Sequence, residues 1–168
     1  MTTHFYLQPF STAQWQDFKS IRLEALQQDR KFFGSNYERE AAFPDEQWQS
    51  GTKSSEVVFW GLYADELLIG MTGIKRSGAE VVLIASYIKQ AYRGKGLSTL
   101  LYEARINWAK ANGCSSVIVS HRADNEASRA ANQHFGFQFT HKENRLWPDG
   151  TEAEELFYRL DLQGQGAM

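Results

Sequence analysis

A glycine-rich turn between Ile88 and Ser98 carries the residue types that bind phosphate. It joins an almost continuously apolar run, Val81–Ile88, to an amphipathic stretch that starts at Leu97. Glycines let the backbone approach a ligand closely, and the first turn of a helix leaves N–H groups unpaired. Arg93 and Lys95 add positive charge to the positive end of that helix. The turn therefore predicts an anion site suited to a phosphate group.

The spacing of the glycines disfavours two familiar phosphate-binding loops. A dinucleotide turn needs Gly-x-Gly-x-x-Gly, but the third position here is Thr99. A P-loop ends in Gly-Lys-Ser/Thr after a longer glycine span, and the Gly94–Gly96 segment does not supply that ending. A protein that binds NAD or a nucleoside phosphate is therefore a disfavoured alternative, and a turn that binds nothing also stays open.

A second polar turn follows the next apolar strand. Val117–His121 leads into Asn125 and Ser128, and a short helical pattern then ends at Gly136-Phe137. Asp124 or Asn125 is a residue type that caps a helix at its first turn. The order strand, turn, helix is thus repeated along the chain.

The two turns together resemble the GNAT superfamily of acetyl-CoA-dependent N-acetyltransferases. Arg93-x-x-Gly96-x-Ser98 is similar to the pyrophosphate loop Arg/Gln-x-x-Gly-x-Gly/Ala of that family. Asn125-x-x-Ser128, ending in Gly136-Phe137, is similar to its Asn-x-x-Ala helix. Because the motifs occur in the family's order, and because the first helical region also looks similar, the resemblance covers about residues 5–162.

The resemblance implies a function and a set of site residues. It implies transfer of an acetyl group from acetyl-CoA to a primary amine, by direct attack in a ternary complex. It places the pantetheine arm along the strand that ends at Ile88, where a backbone N–H polarises the thioester carbonyl. The cofactor-binding residues are then Ile88, Arg93, Gly94, Lys95, Gly96, Leu97, Ser98, Asn125, Ser128 and Asn132.

The acceptor side and the proton transfers are less well defined by the sequence. Phe33, Tyr37 and Glu38 lie where similar proteins build the acceptor wall, although aromatic residues there also pack helices. An amine with a pKa of about 10.4 is almost fully protonated at pH 7, so a base is useful. Tyr87 and Ser86 on the central strand are the catalytic candidates, and Tyr87 is equally explained as a core aromatic residue. Glu24 and Glu38 are further candidates, although solvated carboxylates on helix surfaces are the commoner case for such residues.

One position departs from the family's pattern. The family often places a proton-donating tyrosine seven residues after the motif asparagine, where this chain has Asn132. An amide is not a proton donor of that kind. Tyr102, Tyr158 or water can take the role, and the alternative function is a catalytically weak acyl-CoA-binding sensor or interaction module.

Composition places the chain among globular proteins. It has 168 residues, 42% hydrophobic and 14% aromatic, and a formal net charge of −2. The length fits one N-acetyltransferase domain over residues 1–168, with its core at about 5–162. The near-neutral charge gives no footprint for nucleic acid, and we expect no membrane partner. One cysteine, Cys114, allows no internal disulfide, which predicts a cytoplasmic protein without a structural zinc site or other metal. The resemblance also implies a possible homodimer.

The order of elements predicts the fold class. The pattern predicts short strands at Phe5–Leu7, Glu56–Tyr63, Leu67–Ile74 and Val81–Ile88. A helix from Ser11 or Thr12 to Leu26 follows the first strand, and residues 29–47 look irregular. Two more strands, at Gly136–Thr140 and Glu154–Leu160, follow the second helix pair. We expect an α/β (mixed α+β) protein with a GNAT-like mixed central sheet of about six to seven strands and helices on both faces.

Overall fold

A seven-stranded mixed sheet forms the centre of the computed structural model, which describes residues 2–162. The strands lie in the order β1-β2-β3-β4-β5-β7-β6. All neighbouring strands are antiparallel except β4 and β5, which are parallel. The strands are β1 (Phe5–Pro9), β2 (Val57–Ala64), β3 (Leu67–Ser77), β4 (Glu80–Ile88), β5 (Ser116–Arg122), β6 (Gln138–Leu146) and β7 (Glu152–Asp161). The predicted mixed sheet is confirmed.

Within residues 2–162, five α-helices cover the two faces of this sheet. They are α1 (Trp15–Gln28), α2 (Tyr37–Ala41), α3 (Asp45–Ser50), α4 (Ser98–Ala111) and α5 (Glu126–His134). The packing of α1, α2 and α3 buries Phe18, Ile21 and Trp48 on one face. The packing of α4 and α5 buries Tyr102, Ala109 and Phe137 on the other. We call these the α1 face and the α4 face.

Strands β4 and β5 separate soon after they start, and this opens the sheet. Their register covers only three pairs, from Glu80–Ser116 to Val82–Ile118. Beyond Val82 the two strands diverge, so the sheet has a wedge-shaped opening between their carboxyl-terminal halves. Because both strands have lost their hydrogen-bonding neighbour there, their backbone groups are free to pair with a ligand.

A β-bulge in β4 lies beside this opening. Thr72 of β3 faces two β4 residues, since Met71 pairs with Tyr87 and Gly73 pairs with Ile84. Ala85 has a φ of 60°, which is uncommon for a residue with a side chain. Bulges of this kind change the direction of a strand and are frequent next to active sites.

Two local expectations from the sequence were wrong. Residues 29–47 are not irregular throughout, because they contain α2 and the start of α3. Asn36 caps α2 by accepting a hydrogen bond from the Arg39 amide, and Pro44 precedes α3. The last two strands are also longer than expected, and β7 lies between β5 and β6 in the sheet. Over residues 2–162, no helix is both long and apolar enough to cross a bilayer.

Candidate active site

A cleft of about 690 Å³ runs through the opening between β4 and β5. Its lining includes Ser98 and Tyr102 from α4, Ser128 from α5, and Phe33 from the segment after α1. It therefore connects the two faces of the sheet at the point where the strands separate. A molecule that reaches from the start of α4 to the α1 face can pass through this cleft.

The turn before α4 has the open backbone that the sequence predicts. Gly94 and Gly96 have φ angles of 78° and 75°, a region that strongly favours glycine. A Cβ atom at either glycine would meet nothing within 4 Å, so the turn is open to a ligand. Gly94, Lys95 and Gly96 are exposed, whereas Leu97 is buried among Leu62 and Ile69 and holds the turn on the sheet.

Arg93 stabilises the turn from the other side. Its Nε donates to the carbonyl oxygen of Ile88 at 2.7 Å, and its Nη2 donates to Asp29 at 3.0 Å. The guanidinium thus joins the end of β4 to the end of α1. Arg93 and Ile88 both line the cleft. The carboxylate of Asp29 partly neutralises the charge of Arg93, and the hydrogen bonds of Arg93 fix the position of the turn.

Asn125 and Ser128 cap helix α5. The Asn125 Oδ1 accepts a hydrogen bond from the Ser128 amide at 3.1 Å, which satisfies a free N–H of the first turn. Both residues line the cleft. The cap fixes the side-chain oxygen of Asn125 and leaves its Nδ2 as a donor for a ligand.

The predicted cofactor residue Asn132 does not lie on the cleft surface. It is 0% exposed, and its Oδ1 accepts a hydrogen bond from the Tyr102 hydroxyl at 2.5 Å. Tyr102 lines the cleft, and its ring stacks on Phe135. Burial raises the pKa of Tyr102, so its hydroxyl keeps its proton at neutral pH. The site therefore has a tyrosine hydroxyl, supplied by α4 instead of α5.

The two predicted catalytic residues on β4 face different partners. Tyr87 donates to Glu24 at 2.7 Å, and burial together with this hydrogen bond raises the pKa of Tyr87 far above its usual value. A tyrosine in that state is a poor base at neutral pH. Ser86 is exposed toward the cleft and shares a hydrogen bond with Thr72 at 2.9 Å. Both residues line the cleft, but only the Tyr87 hydroxyl, of these two, donates to a carboxylate.

The three predicted acceptor residues are also separated. Phe33 lines the cleft, with the Arg22 guanidinium 5.2 Å above its ring. Tyr37 is half-buried against the aromatic residues of the α1 face. Glu38 is exposed and pairs with Arg30 at 3.4 Å. Only Phe33 is a wall residue of the cleft.

His121 lies in β5 and belongs to neither of the two sequence motifs. Its Nδ1 lies 2.8 Å from the Arg122 carbonyl oxygen, which can only accept, so Nδ1 carries the hydrogen. The Nε2 atom is buried and has no partner among residues 2–162. Burial lowers the pKa of His121, so the ring is neutral at pH 7. His121 lines the cleft and holds this unpaired proton acceptor just beneath the cleft surface.

Two further residues that line the cleft, Glu155 and Arg105, belong to neither of the two sequence motifs. Glu155 of β7 accepts hydrogen bonds from Ser120 at 2.6 Å and from Arg145 at 3.2 Å. Arg105 of α4 is 2% exposed, although it lies on a helix whose sequence predicts an apolar buried stripe. Glu155 could be found only from the three-dimensional arrangement, because β7 is distant from the turn in sequence. Arg105 lies on the helix that follows the turn, but hydrophobic periodicity does not mark a buried arginine.

Comparison with known proteins supports the resemblance that the motifs indicated. The acetyltransferase (GNAT) family model matches residues 15–137. Among solved structures, the GNAT-family acetyltransferase from Streptococcus pneumoniae is similar at a TM-score of 0.80 and 15% identity, over 95% of this chain and 100% of that chain. No curated protein sequence matches the chain.

Two other solved structures share the fold at similarly low identity. The yncA protein of Salmonella typhimurium, solved with its cofactor acetyl-CoA, aligns at a TM-score of 0.79 and 16% identity, covering 95% of each chain. The ribosomal-protein-S18-alanine N-acetyltransferase from Escherichia coli aligns at 0.72 and 16% identity, over 95% of this chain and 94% of that one. Since the family match spans well over half of the sequence, this acyltransferase belongs to the GNAT acetyltransferase family.

Proposed function

We propose that the protein transfers an acetyl group from acetyl-CoA to a primary amine by direct attack in a ternary complex. The observation that carries this proposal is the cleft between β4 and β5, which links the glycine turn before α4 to the α1 face. A thioester and an amine can meet there from opposite faces of the sheet. Bringing two reactants together in this way removes much of the entropic cost of reaction.

The donor is bound by the turn and the strand that frame the cleft. The exposed backbone of Gly94, Lys95 and Gly96, with the free N–H groups at the start of α4, binds the pyrophosphate. The pantetheine arm lies along the unpaired edge of β4 toward Ile88. Ser98, Asn125 and Ser128 provide polar contacts from the two helices on the α4 face.

The reaction forms a C–N bond and breaks the C–S bond of the thioester. The amine nitrogen attacks the carbonyl carbon, the oxygen gains negative charge beside the Ile88 N–H, and coenzyme A departs as a thiolate. Tyr102 gives that sulfur the proton that its hydroxyl otherwise donates to Asn132, and it regains one from solvent. Its position in the cleft lining supports the transferase over the sensor alternative, which rests on the missing tyrosine at position 132.

The nitrogen loses its proton to an acceptor in the same cleft. His121 takes this role through its unpaired Nε2, and the Ser86 hydroxyl orients the amine. Tyr87 has a positioning role, because its hydroxyl is committed to Glu24 and its ring supports the Arg93 guanidinium at 5.7 Å. This division keeps the two proton transfers on separate side chains.

The acceptor is the primary amine of a small molecule, a peptide or a protein. Phe33 and Trp147 give the cleft apolar surface, and Glu155, which is held by Arg145 and Ser120, adds carboxylate oxygens that accept hydrogen bonds. The similar Escherichia coli protein is named as an N-acetyltransferase of a ribosomal protein alanine, which makes peptide amino termini a natural first class to test.

The assembly and the location of the protein are also proposals. Residues 5–162 act as one domain in the cytoplasm, which agrees with a single cysteine buried at position 114. A homodimer forms through the edge strand β6, where Phe139 and Leu146 are 53% and 68% exposed. An unpaired edge with apolar residues favours strand pairing with a second copy. Light scattering on the wild-type chain and on Leu146→Lys tests the dimer; a monomeric wild type would contradict it.

A thiol-release assay tests the transfer activity. The protein is mixed with acetyl-CoA and a panel of polyamines, amino acids and short peptides, and free coenzyme A is measured over time. We expect amine-dependent release from at least one class, and its loss in Gly96→Trp, which blocks the turn. Failure of every amine class, with acetyl-CoA bound, would contradict transferase function.

A further inference from the structure

Helix α4 places a positively charged side chain at the deep end of the cleft. Arg105 follows Ser98 by seven residues, which is two helical turns or about 10 Å along the axis. The helix returns antiparallel to β4, so Arg105 lies near the end where β4 and β5 are still paired. It is 2% exposed and lines the cleft.

The charge of Arg105 has no compensating carboxylate. Its Nε donates to the Leu101 carbonyl oxygen at 3.0 Å, and its guanidinium carbon lies 5.1 Å from the centre of the Tyr102 ring. Over residues 2–162 no carboxylate lies within ion-pair distance of it. Burial lowers the pKa of Arg105 to about 10, which still leaves the group charged at neutral pH.

Other arginines of the same cleft differ in this respect. Arg22 pairs with Glu40, Arg93 with Asp29 and Arg145 with Glu155. Each of those charges is neutralised by the protein itself. A buried charge without a partner costs several kcal/mol, so Arg105 is the cleft arginine that most needs an anion from a ligand.

The position of Arg105 decides which part of a ligand can supply that anion. The phosphates of the donor are bound by the turn before α4, two helical turns away. Leu83, Val119 and Arg105 line the deeper part of the cleft, which only the acyl end of a donor bound by that turn would approach. An acetyl group ends in a methyl and offers nothing to a guanidinium, whereas a carboxylate accepts from it in a fork geometry.

We propose that the donor subsite binds an acyl-CoA whose acyl chain ends in a carboxylate, of the malonyl or succinyl class, through Arg105. This inference rests on the proposed function, since it names the acyl group for the same transfer. The C–S bond of the thioester breaks and a C–N bond forms as before, and the terminal carboxylate stays unchanged. Acetyl-CoA fits the same subsite but leaves the guanidinium unpaired.

The test compares two esters of nearly equal shape in calorimetric titrations. Succinyl-CoA carries the carboxylate, and 4-methylpentanoyl-CoA carries two methyl groups in place of its oxygens. We expect succinyl-CoA to bind wild type roughly tenfold to a hundredfold more tightly, as for hydrogen bonds to a charged group. The ratio of the two affinities should fall to near one in Arg105→Met. It should persist in the control variant Arg159→Met, because Arg159 is an exposed residue that pairs with Asp161 and Glu80.

Two results would overturn the inference in distinguishable ways. If wild type binds acetyl-CoA but prefers the neutral ester, the acyl assignment fails and the proposed transfer function stands. If no CoA ester binds to the folded protein, both proposals fail together. Because the ester ratio is measured within each variant, a loss of overall stability in Arg105→Met does not affect it.

Discussion

The Tyr102 hydroxyl of α4 donates a hydrogen bond to the Asn132 Oδ1 of α5, at 2.5 Å in a buried position. This contact fills the space between the two helices that flank the donor side of the cleft. Asn132 is fully buried, so its amide fixes the tyrosine and leaves it as the hydroxyl that lines the cleft. The family motif often has a tyrosine on α5 at the position of Asn132, whereas in this chain a tyrosine, Tyr102, lies beside that position on α4.

Replacing Tyr102 by phenylalanine should slow the chemical step. We expect kcat to fall by roughly tenfold to a hundredfold, at the low end for general acid catalysis, because a thiolate is a fair leaving group. The affinity for acetyl-CoA should change much less than kcat. Steady-state kinetics and a direct binding titration separate the two effects.

Tyr158→Phe is the matched control for that variant. Tyr158 is also buried, and its ring stacks on His121 with the centroids 5.4 Å apart. It does not line the cleft, so removing its hydroxyl should leave kcat close to that of wild type. Equal losses in both variants would show that Tyr102 is not the specific proton donor.

The phosphate-binding role of the glycine turn can be tested by comparing Gly96→Ala with Gly78→Ala. Gly96 and Gly78 have φ angles of 75° and 61°, and a Cβ at either position meets nothing within 4 Å. Alanine in this conformation costs about 1 kcal/mol, so both variants should lose similar stability in urea denaturation. Only Gly96→Ala should also weaken acetyl-CoA binding, by about tenfold, because it changes the N–H groups that face phosphate. Equal affinities in the two variants would refute the phosphate assignment.

His121 should titrate below the ordinary pKa of histidine. Burial disfavours the imidazolium, while the hydrogen bond to the Arg122 carbonyl fixes the hydrogen on Nδ1. Imidazole nitrogen shifts in NMR should show this tautomer at pH 7 and protonation only below pH 6.5, with His121→Gln to assign the signal. Protonation above that pH would contradict the account.

The lowered pKa of His121 also makes the folded protein less stable at acidic pH. Below the ordinary pKa the unfolded chain binds a proton that the folded imidazole does not, so stability falls as the pH drops. In His121→Gln, the free energy of unfolding measured by urea denaturation should fall less over the same pH range.

The buried ion pair between Arg22 and Glu40 should dominate stability on the α1 face. Burial alone would raise the pKa of Glu40, but the bidentate hydrogen bonds from Arg22 at 2.9 and 3.0 Å hold it below its usual value. Glu40→Gln leaves the Arg22 charge without its carboxylate and should cost about 3 kcal/mol in urea denaturation at pH 7.

The exposed pair Arg30–Glu38 provides the control, since Glu38→Gln should cost less than about 1 kcal/mol. For wild type, the stabilisation from Glu40 is present above its unfolded pKa and is lost as the pH falls through the lowered folded pKa. If both glutamine variants have equal stability at pH 7, the buried pair is not a major contributor.

The sequence predicted the framework of the site better than its polar interior. The apolar run of β4, the glycines and the Asn125 cap are local patterns, because each depends on the backbone needs of a few neighbouring residues. The family follows from the order of those patterns, and its identification was confirmed.

The polar interior depends on contacts between distant elements. The sequence predicts an amphipathic helix that starts at Leu97, and the buried side chains of α4 are Leu101, Tyr102, Arg105 and Ala109. Periodicity finds a helix face that is apolar, and a buried arginine inside that face has no local signature. The partner of Asn132 was likewise invisible, since Tyr102 is thirty positions earlier on another helix.

The most direct test of the central claim is a calorimetric titration of the purified protein with acetyl-CoA, run beside NADH and ATP. The cleft and turn predict saturable binding of acetyl-CoA with one site per chain, and strong weakening in Gly96→Trp. Binding of NADH or ATP in place of acetyl-CoA, or no binding of acetyl-CoA by the folded protein, would contradict the account.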